Sequence, residues 1–224
     1  MIRYGFFLLA FIISIKTEAQ LKTDPLTSQP TLYKGDWLIK PVPQKAAIYS
    51  SADKKGIILN NGLVKRTFRL SPNLVCTDYT NMITGQQLLR AIAPEAVITI
   101  NGKEYNVGGL YGQKEKAYLL PEWLDHFTKG DNDFQFVNYE IHPLQPFVNW
   151  KPGSWWSSNK KHPGGKLISF SYKNNQPELK DIVLKVYYAL YDGLPLIAKW
   201  VTVENKGTSS FKTTLQFHRS YPNV

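Results

Sequence analysis

From about residue 46 onward, apolar and polar residues alternate with a period of two, the repeat of a β-strand that buries one face. Ile168, Phe170 and Tyr172 alternate with Ser169 and Ser171. Ile182, Leu184, Val186, Tyr188 and Leu190 set an apolar row on one face of the next segment. After Asp192-Gly193 the rhythm resumes, with Leu196, Ala198 and Trp200 on one face and Ile197, Val201 and Val203 on the other. Phe211, Thr213, Leu215 and Phe217 alternate with Lys212, Thr214 and Gln216. Upstream, Val64, Phe68 and Leu70 share a face while Lys65, Thr67 and Arg69 point away. Arg66 interrupts that apolar face, so it requires a partner or an exit at a strand edge.

Turn chemistry punctuates these runs. Asn61-Gly62, Asn101-Gly102 and Asp192-Gly193 each separate two strand-like segments, and glycine accepts the positive φ that tight hairpins need. Asn101-Gly102, between Ala96–Ile100 and Glu104–Val107, fits a type I′ turn best. About ten to twelve short strands with little helix predict an all-β fold, an antiparallel β-sandwich or supersandwich. Residues 20–45 carry Pro25, Pro30, Pro41 and Pro43 and read as a leader crossing a surface, with Trp37-Leu38-Ile39 adding a short strand. The middle, 108–165, is less regular. It offers a short helix near Pro121–Phe127, a strand over Asp133–Ile141, and a Gly- and Pro-rich loop over Pro152–Gly165.

The N-terminus changes the picture of where the chain works. Arg3, the apolar run Phe6–Ile15 and the small residue Ala19 before Gln20 match a cleavable export signal. The run is too short to span a bilayer, which takes about 20 residues. Residues 1–19 are therefore read as a signal peptide, 20–45 as the leader and 46–224 as one β domain expected to continue past Val224. The mature chain is expected to have no membrane span and to be secreted or periplasmic. The absence of any Asn-x-Ser/Thr sequon points to a bacterial source. Cys76 is the single cysteine, so an internal disulfide is excluded and the thiol reads as buried and inert.

Hydrophobic residues make up 43% and aromatics 13% of the 224, which excludes a disordered chain. The formal net charge of +10 raises nucleic acid as a partner. The Lys and Arg residues are scattered, however, and no helix-turn-helix, zinc-finger or RNA-binding pattern accompanies them. A basic surface suited to acidic polysaccharide or envelope is the simpler reading.

Three groups of residues bear on chemistry. Trp150, Trp155 and Trp156, with His162, sit in or beside the Gly- and Pro-rich loop; indoles stack on the apolar faces of sugar rings, and these four are the candidate substrate-binding residues. The same tryptophans would equally serve to plug the end of a sandwich core. Glu122, Asp125, Asp131 and Asp133 fall in a polar segment that reads as a solvated loop rather than as the paired carboxylates of glycoside cleavage. Gly130-Asp131-Asn132-Asp133 lacks the ordered ligand run of a calcium loop. Among His126, His142, His162 and His218 no zinc spacing occurs, and no metal or cofactor is expected. His142 or His162 with Glu140 is the one acid–base pairing that a sugar mutarotase would need.

Two segments carry a family resemblance. Asn60–Leu70, NNGLVKRTFRL, resembles the early strand of the supersandwich in α-galactosidase-like enzymes of glycoside hydrolase family 36. Tyr187–Asn205 resembles the later hairpin of the same galactose-mutarotase-like domain, through Tyr191, Asp192, Gly193, Pro195, Lys199, Trp200 and Asn205. The resemblance implies a non-catalytic sandwich that edges the substrate pocket of a following catalytic barrel, with carbohydrate and that barrel as partners. Such a barrel takes about 250 residues, so no catalytic residue is carried over to this chain. A free-standing carbohydrate-binding module and a small mutarotase or epimerase stand as the alternatives.

Overall fold

The computed structural model describes residues 23–26, 28, 30–145 and 163–216. The expected export signal, Phe217 and His218 lie outside them. Twelve strands are described: β1 (Asp24–Pro25), β2 (Ala47–Ser50), β3 (Gly56–Asn60), β4 (Val64–Arg69), β5 (Val75–Asn81), β6 (Ala96–Ile100), β7 (Lys103–Val107), β8 (Gln135–Pro143), β9 (Gly165–Lys173), β10 (Ile182–Tyr191), β11 (Ile197–Asn205) and β12 (Thr213–Gln216). The only helical elements among the described residues are two short 3-10 turns, Pro121–His126 and Pro177–Leu179. The fold is an all-β sandwich, as the alternation predicts.

Three sheets share one core. The first has the order β1-β2-β3-β4-β5, the second β11-β10-β9-β8, and the third β12-β6-β7. Pairing is antiparallel throughout, apart from the two-residue β1, which joins β2 in parallel. The predicted apolar rows become the inner faces: Ile57, Leu59 and Phe68 from the first sheet, and Ile168, Phe170, Leu184, Val186 and Tyr188 from the second, are all buried. Phe68 bridges the two, with its ring centroid 5.0 Å from Phe170 and 4.9 Å from Tyr188. Tilted aromatic contacts of this kind add to the area term and fix the sheets' relative position.

All three expected glycine turns join antiparallel strands, and Gly62, between β3 and β4, has φ of 85°. Asn101 and Gly102 have φ of 49° and 84°, and Ile100 pairs with Lys103, which is a two-residue type I′ hairpin. Gly193 has φ of 69°, but its connection is longer than a tight turn: the last pair is Leu190 with Ile197, and the loop spans Asp192–Leu196.

One expectation is corrected. Trp37-Leu38-Ile39 forms a turn, not a strand. The Asp36 side chain accepts the Leu38 amide at 2.9 Å, and the Asp36 carbonyl accepts the Ile39 and Lys40 amides at 3.2 and 2.8 Å. Local hydrogen bonding from an aspartate outcompetes the β-propensity of three bulky residues that pair with no strand among the described residues.

Cys76 lies on the inner face of β5 opposite Phe68 and is buried and unpaired. Burial raises its pKa, so the nucleophilic thiolate is scarce at neutral pH. The folded protein is expected to give no rapid reaction with a thiol reagent such as dithionitrobenzoate, and one thiol per chain after unfolding. Rapid stoichiometric labelling of the folded protein would contradict the burial.

Candidate functional site

Trp150, Trp155, Trp156 and His162 lie outside the described residues. What the structure does describe is the sheet from which their segment leaves and to which it returns, β8 and β9. Antiparallel register places side chains in straight rows across that sheet. On its outer face one row runs Glu140, Ser169, Tyr187, Trp200. A neighbouring row runs Asn138, Ser171, Lys185, Thr202, and the other neighbour His142, Leu167, Ala189, Ala198.

This face combines stacked aromatics with a small polar cluster. The Tyr187 and Trp200 rings are 5.1 Å apart and nearly parallel, at 4°. Glu140 Oε2 lies 3.4 Å from Lys185 Nζ and 3.7 Å from His142 Nε2, and the same histidine nitrogen is 3.3 Å from Ser169 Oγ. Alternation explains the assembly: Glu140 and His142 are two apart on β8, so they share a face, and the register sets Ser169 and then Tyr187 beside them. The geometry excludes one chemistry. A nucleophile relay needs serine and carboxylate on opposite nitrogens of the imidazole, whereas here both approach Nε2 and Ser169 is fully buried. What remains is a half-buried aromatic ridge beside groups that donate and accept hydrogen bonds, the usual mixture of a ligand surface.

A second charged cluster lies inside the sandwich. Glu95, just before β6, is 1% exposed at its side chain and lies 2.7 Å from Lys199 Nζ on β11. Lys199 Nζ also donates to the Glu95 carbonyl at 2.6 Å, and the Tyr188 hydroxyl donates to Glu95 Oε2. The Arg66 guanidinium stacks at 4.8 Å over Tyr188, 5.1 Å over Tyr79 and 5.3 Å over Phe68. The buried Arg66 Nε has no hydrogen-bond partner, and the rings take that role. Burial pushes the Glu95 pKa up, but Lys199 and Arg66 outweigh it and hold the carboxyl below its ordinary value. For Arg66, burial acts to lower the pKa, and Tyr188, Cys76 and Glu95 together hold it above its usual value. The Phe68, Tyr79 and Tyr188 rings are the direct partners that Arg66 required from the sequence, and Glu95 acts on it by charge. The enclosed carboxylate ties the segment before β6 to β10 and β11.

Lys199 was legible by parity: it interrupts the Ile197, Val201, Val203 face as Arg66 interrupts the face of β4. Two cations on inward faces imply a shared buried anion. Glu95 itself had no signal, because it precedes its strand in Ala93-Pro94-Glu95.

The Asn60–Leu70 segment and the Tyr187–Asn205 hairpin meet in space. Asn61 Nδ2 donates to the carbonyls of Tyr191 and Leu194, both at 2.7 Å, and Asn61 Oδ1 accepts the amides of Leu63 and Val64 at 3.0 and 2.9 Å. Asp192 Oδ1 accepts the Ala46 amide at 2.7 Å. Asp192 thus anchors the loop to the chain entering β2.

The remaining acidic candidates have structural partners or none. Asp125 pairs with Arg69 at 2.6 Å, and Asp133 accepts the Tyr111 hydroxyl at 2.7 Å and the Asn106 amide at 3.2 Å. Glu122 and Asp131 are exposed. Among the described residues no group of His, Cys, Asp and Glu is arranged to hold a metal, and no helix is long and apolar enough to cross a membrane.

No protein-family model matches this chain, and no match is found among curated proteins or solved structures.

Proposed function

We propose that this chain is the non-catalytic sandwich half of an exported glycoside hydrolase of the α-galactosidase-like type, presenting carbohydrate to a catalytic barrel. The observation that carries the reading is the joint at Asn61: the NNGLVKR strand and the YDGLP hairpin, distant in sequence and alike to one family domain, are clamped by one side chain. The Tyr187–Trp200 ridge beside Glu140, His142 and Lys185 supports the carbohydrate half of the reading.

The test is binding of galactose-containing oligosaccharides to the isolated chain by calorimetry or nuclear magnetic resonance. Weak binding is expected, lost in Trp200→Ala, with no hydrolysis of an aryl α-galactoside. Loss of one stacking aromatic weakens a carbohydrate contact by about tenfold or more, the equivalent of roughly 1–2 kcal/mol. Hydrolysis by the isolated chain, or binding indifferent to Trp200→Ala, would sink the proposal.

One observation favours a second reading, an aldose mutarotase: His142 and Glu140 stand 3.7 Å apart, within reach of one small ligand. That reading requires the chain to accelerate the change in optical rotation of freshly dissolved α-galactose, and His142→Ala to abolish the acceleration.

A further inference from the structure

The Tyr33–Lys40 turn presents an apolar tip that the fold does not use. Leu38 is 75% and Ile39 77% exposed, and the half-buried Trp37 stands beside them. Exposed aliphatic residues occurring singly are ordinary, but two adjacent ones at the tip of a turn are not. The tip is held in place. Asp36 Oδ1 accepts the Leu38 amide at 2.9 Å, the Asp36 carbonyl accepts the Ile39 and Lys40 amides, and the Tyr33 hydroxyl reaches the Lys40 carbonyl at 3.5 Å across the base. The Tyr33 amide donates to the Met82 carbonyl at 2.9 Å and fastens the base to the end of β5. Lys34 and Lys40 are exposed on either side of the tip. The one acidic group within the turn, Asp36, is engaged by backbone.

We propose that this turn inserts Leu38 and Ile39, with Trp37 at the boundary, into an anionic lipid surface, and that Lys34 and Lys40 hold it there through the headgroups. The chemistry favours lipid over a folded protein partner. A specific protein interface buries on the order of 1,000 Å² or more, which a tip of three residues does not supply. Interfacial insertion works with a few apolar side chains when cations flank them, and an indole suits the boundary between headgroup and hydrocarbon. Lysine stems are long enough to leave their ammonium groups among the phosphates while the apolar tip goes deeper. A turn already fixed by hydrogen bonds loses little freedom on inserting. The net charge of +10 draws the whole chain toward the same surface.

The experiment is co-sedimentation of the full chain with vesicles of phosphatidylcholine alone and of phosphatidylcholine mixed with phosphatidylglycerol, at low and at high salt. The chain is expected to pellet with the anionic vesicles, and several-fold less with neutral ones or at high salt. The double substitution Leu38→Asp/Ile39→Asp is expected to weaken partitioning by about a hundredfold, since each buried aliphatic side chain is worth about tenfold. Lys34→Glu/Lys40→Glu is expected to weaken it severalfold on anionic vesicles only. Circular dichroism and the melting temperature stay unchanged in both, because all four side chains are exposed. Failure of the unaltered chain to pellet overturns the proposal, as does equal pelleting of the Leu38→Asp/Ile39→Asp variant. A dimer that Leu38→Asp/Ile39→Asp dissolves, without vesicle binding, assigns the tip to a protein contact and also overturns it. None of these outcomes depends on carbohydrate binding at Trp200.

Discussion

Replacing Glu95 with glutamine is expected to lower stability by about 3–5 kcal/mol, the penalty for stranding buried cations when their shared anion is removed. The amide keeps the shape of the carboxylate, so the loss reports charge and not volume. Lys199 retains 21% side-chain exposure and recovers some hydration, which favours the lower end of the range. For a domain of this size each kcal/mol moves the melting temperature by about 2–4 °C, giving a drop of roughly 6–20 °C by circular dichroism. Adding Lys199→Met to the Glu95→Gln background should restore part of it, because the second unpaired charge is then gone. A Glu95→Gln variant melting within a degree or two of the unaltered protein would mean that water reaches the cluster.

The pH dependence follows with a definite sign. The Glu95 pKa in the fold lies below its ordinary value of 4.5, through Lys199 and Arg66, which outweigh the burial that raises it. A carboxyl depressed on folding adds stability that is fully present above its unfolded value and is lost as pH falls through the folded one. The melting temperature of the unaltered protein should therefore decline below about pH 4.5. The gap between it and Glu95→Gln should close over the same window, since a protonated Glu95 strands the cations as the amide does. A gap that stays constant from pH 7 to pH 3 would assign the stability to packing and not to ionisation.

How far the sequence discloses the molecule depends on whether a feature is local. Alternation along a single strand predicts the inner rows of β9 and β10, and Ile168, Phe170, Tyr172, Leu184, Val186 and Tyr188 are all buried, although Ser169, Ser171, Val183 and Ala189 on the opposite faces are buried as well. Glycine turns are equally local, and Asn101-Gly102 folds as its chemistry requires. Arg66 announces a need for a partner but not the partner's identity, since the rings of Tyr79 and Tyr188 and the charge of Glu95 gather about it only after the sheets are stacked. Trp37-Leu38-Ile39 forms a turn because β-propensity is a packing property, and among the described residues that segment has no strand to pair with. The outer face of the second sheet is intermediate: the spacing of Glu140 and His142 is visible in one strand, while their union with Ser169, Tyr187 and Trp200 exists only in the register of three pairings. The tryptophans of the 150–162 segment, the clearest sugar-facing candidates by composition, are not among the described residues.

Asn61 offers the sharper test of the architecture, because one isosteric change inverts its chemistry. Its carboxamide makes four hydrogen bonds from a fully buried position, two given to carbonyls of the Tyr191–Leu194 turn and two accepted from the amides that open β4. Asn61→Ala takes the side-chain partner from the Tyr191 carbonyl and from the Leu63 and Val64 amides, while the Leu194 carbonyl keeps the Leu196 amide at 2.8 Å. With about 1 kcal/mol or more for each group that water cannot reach, a loss of roughly 3 kcal/mol is expected. Asn61→Asp preserves every atom position and should nevertheless cost at least as much. A carboxylate oxygen would face the Tyr191 and Leu194 carbonyls, so two attractive contacts become repulsive and a buried charge gains no cation. If the side chain merely filled space, the ranking would reverse and Asn61→Asp would be the milder change. Denaturant midpoints of the two variants decide between these cases. Because the clamp joins the loop before β11 to the start of β4, Asn61→Asp should also loosen the β10–β11 edge, seen as faster amide exchange along Ile197–Asn205 than in the buried strand β9. A variant that loses stability while β11 keeps its protection would show that the hairpin is held by the core and not by Asn61.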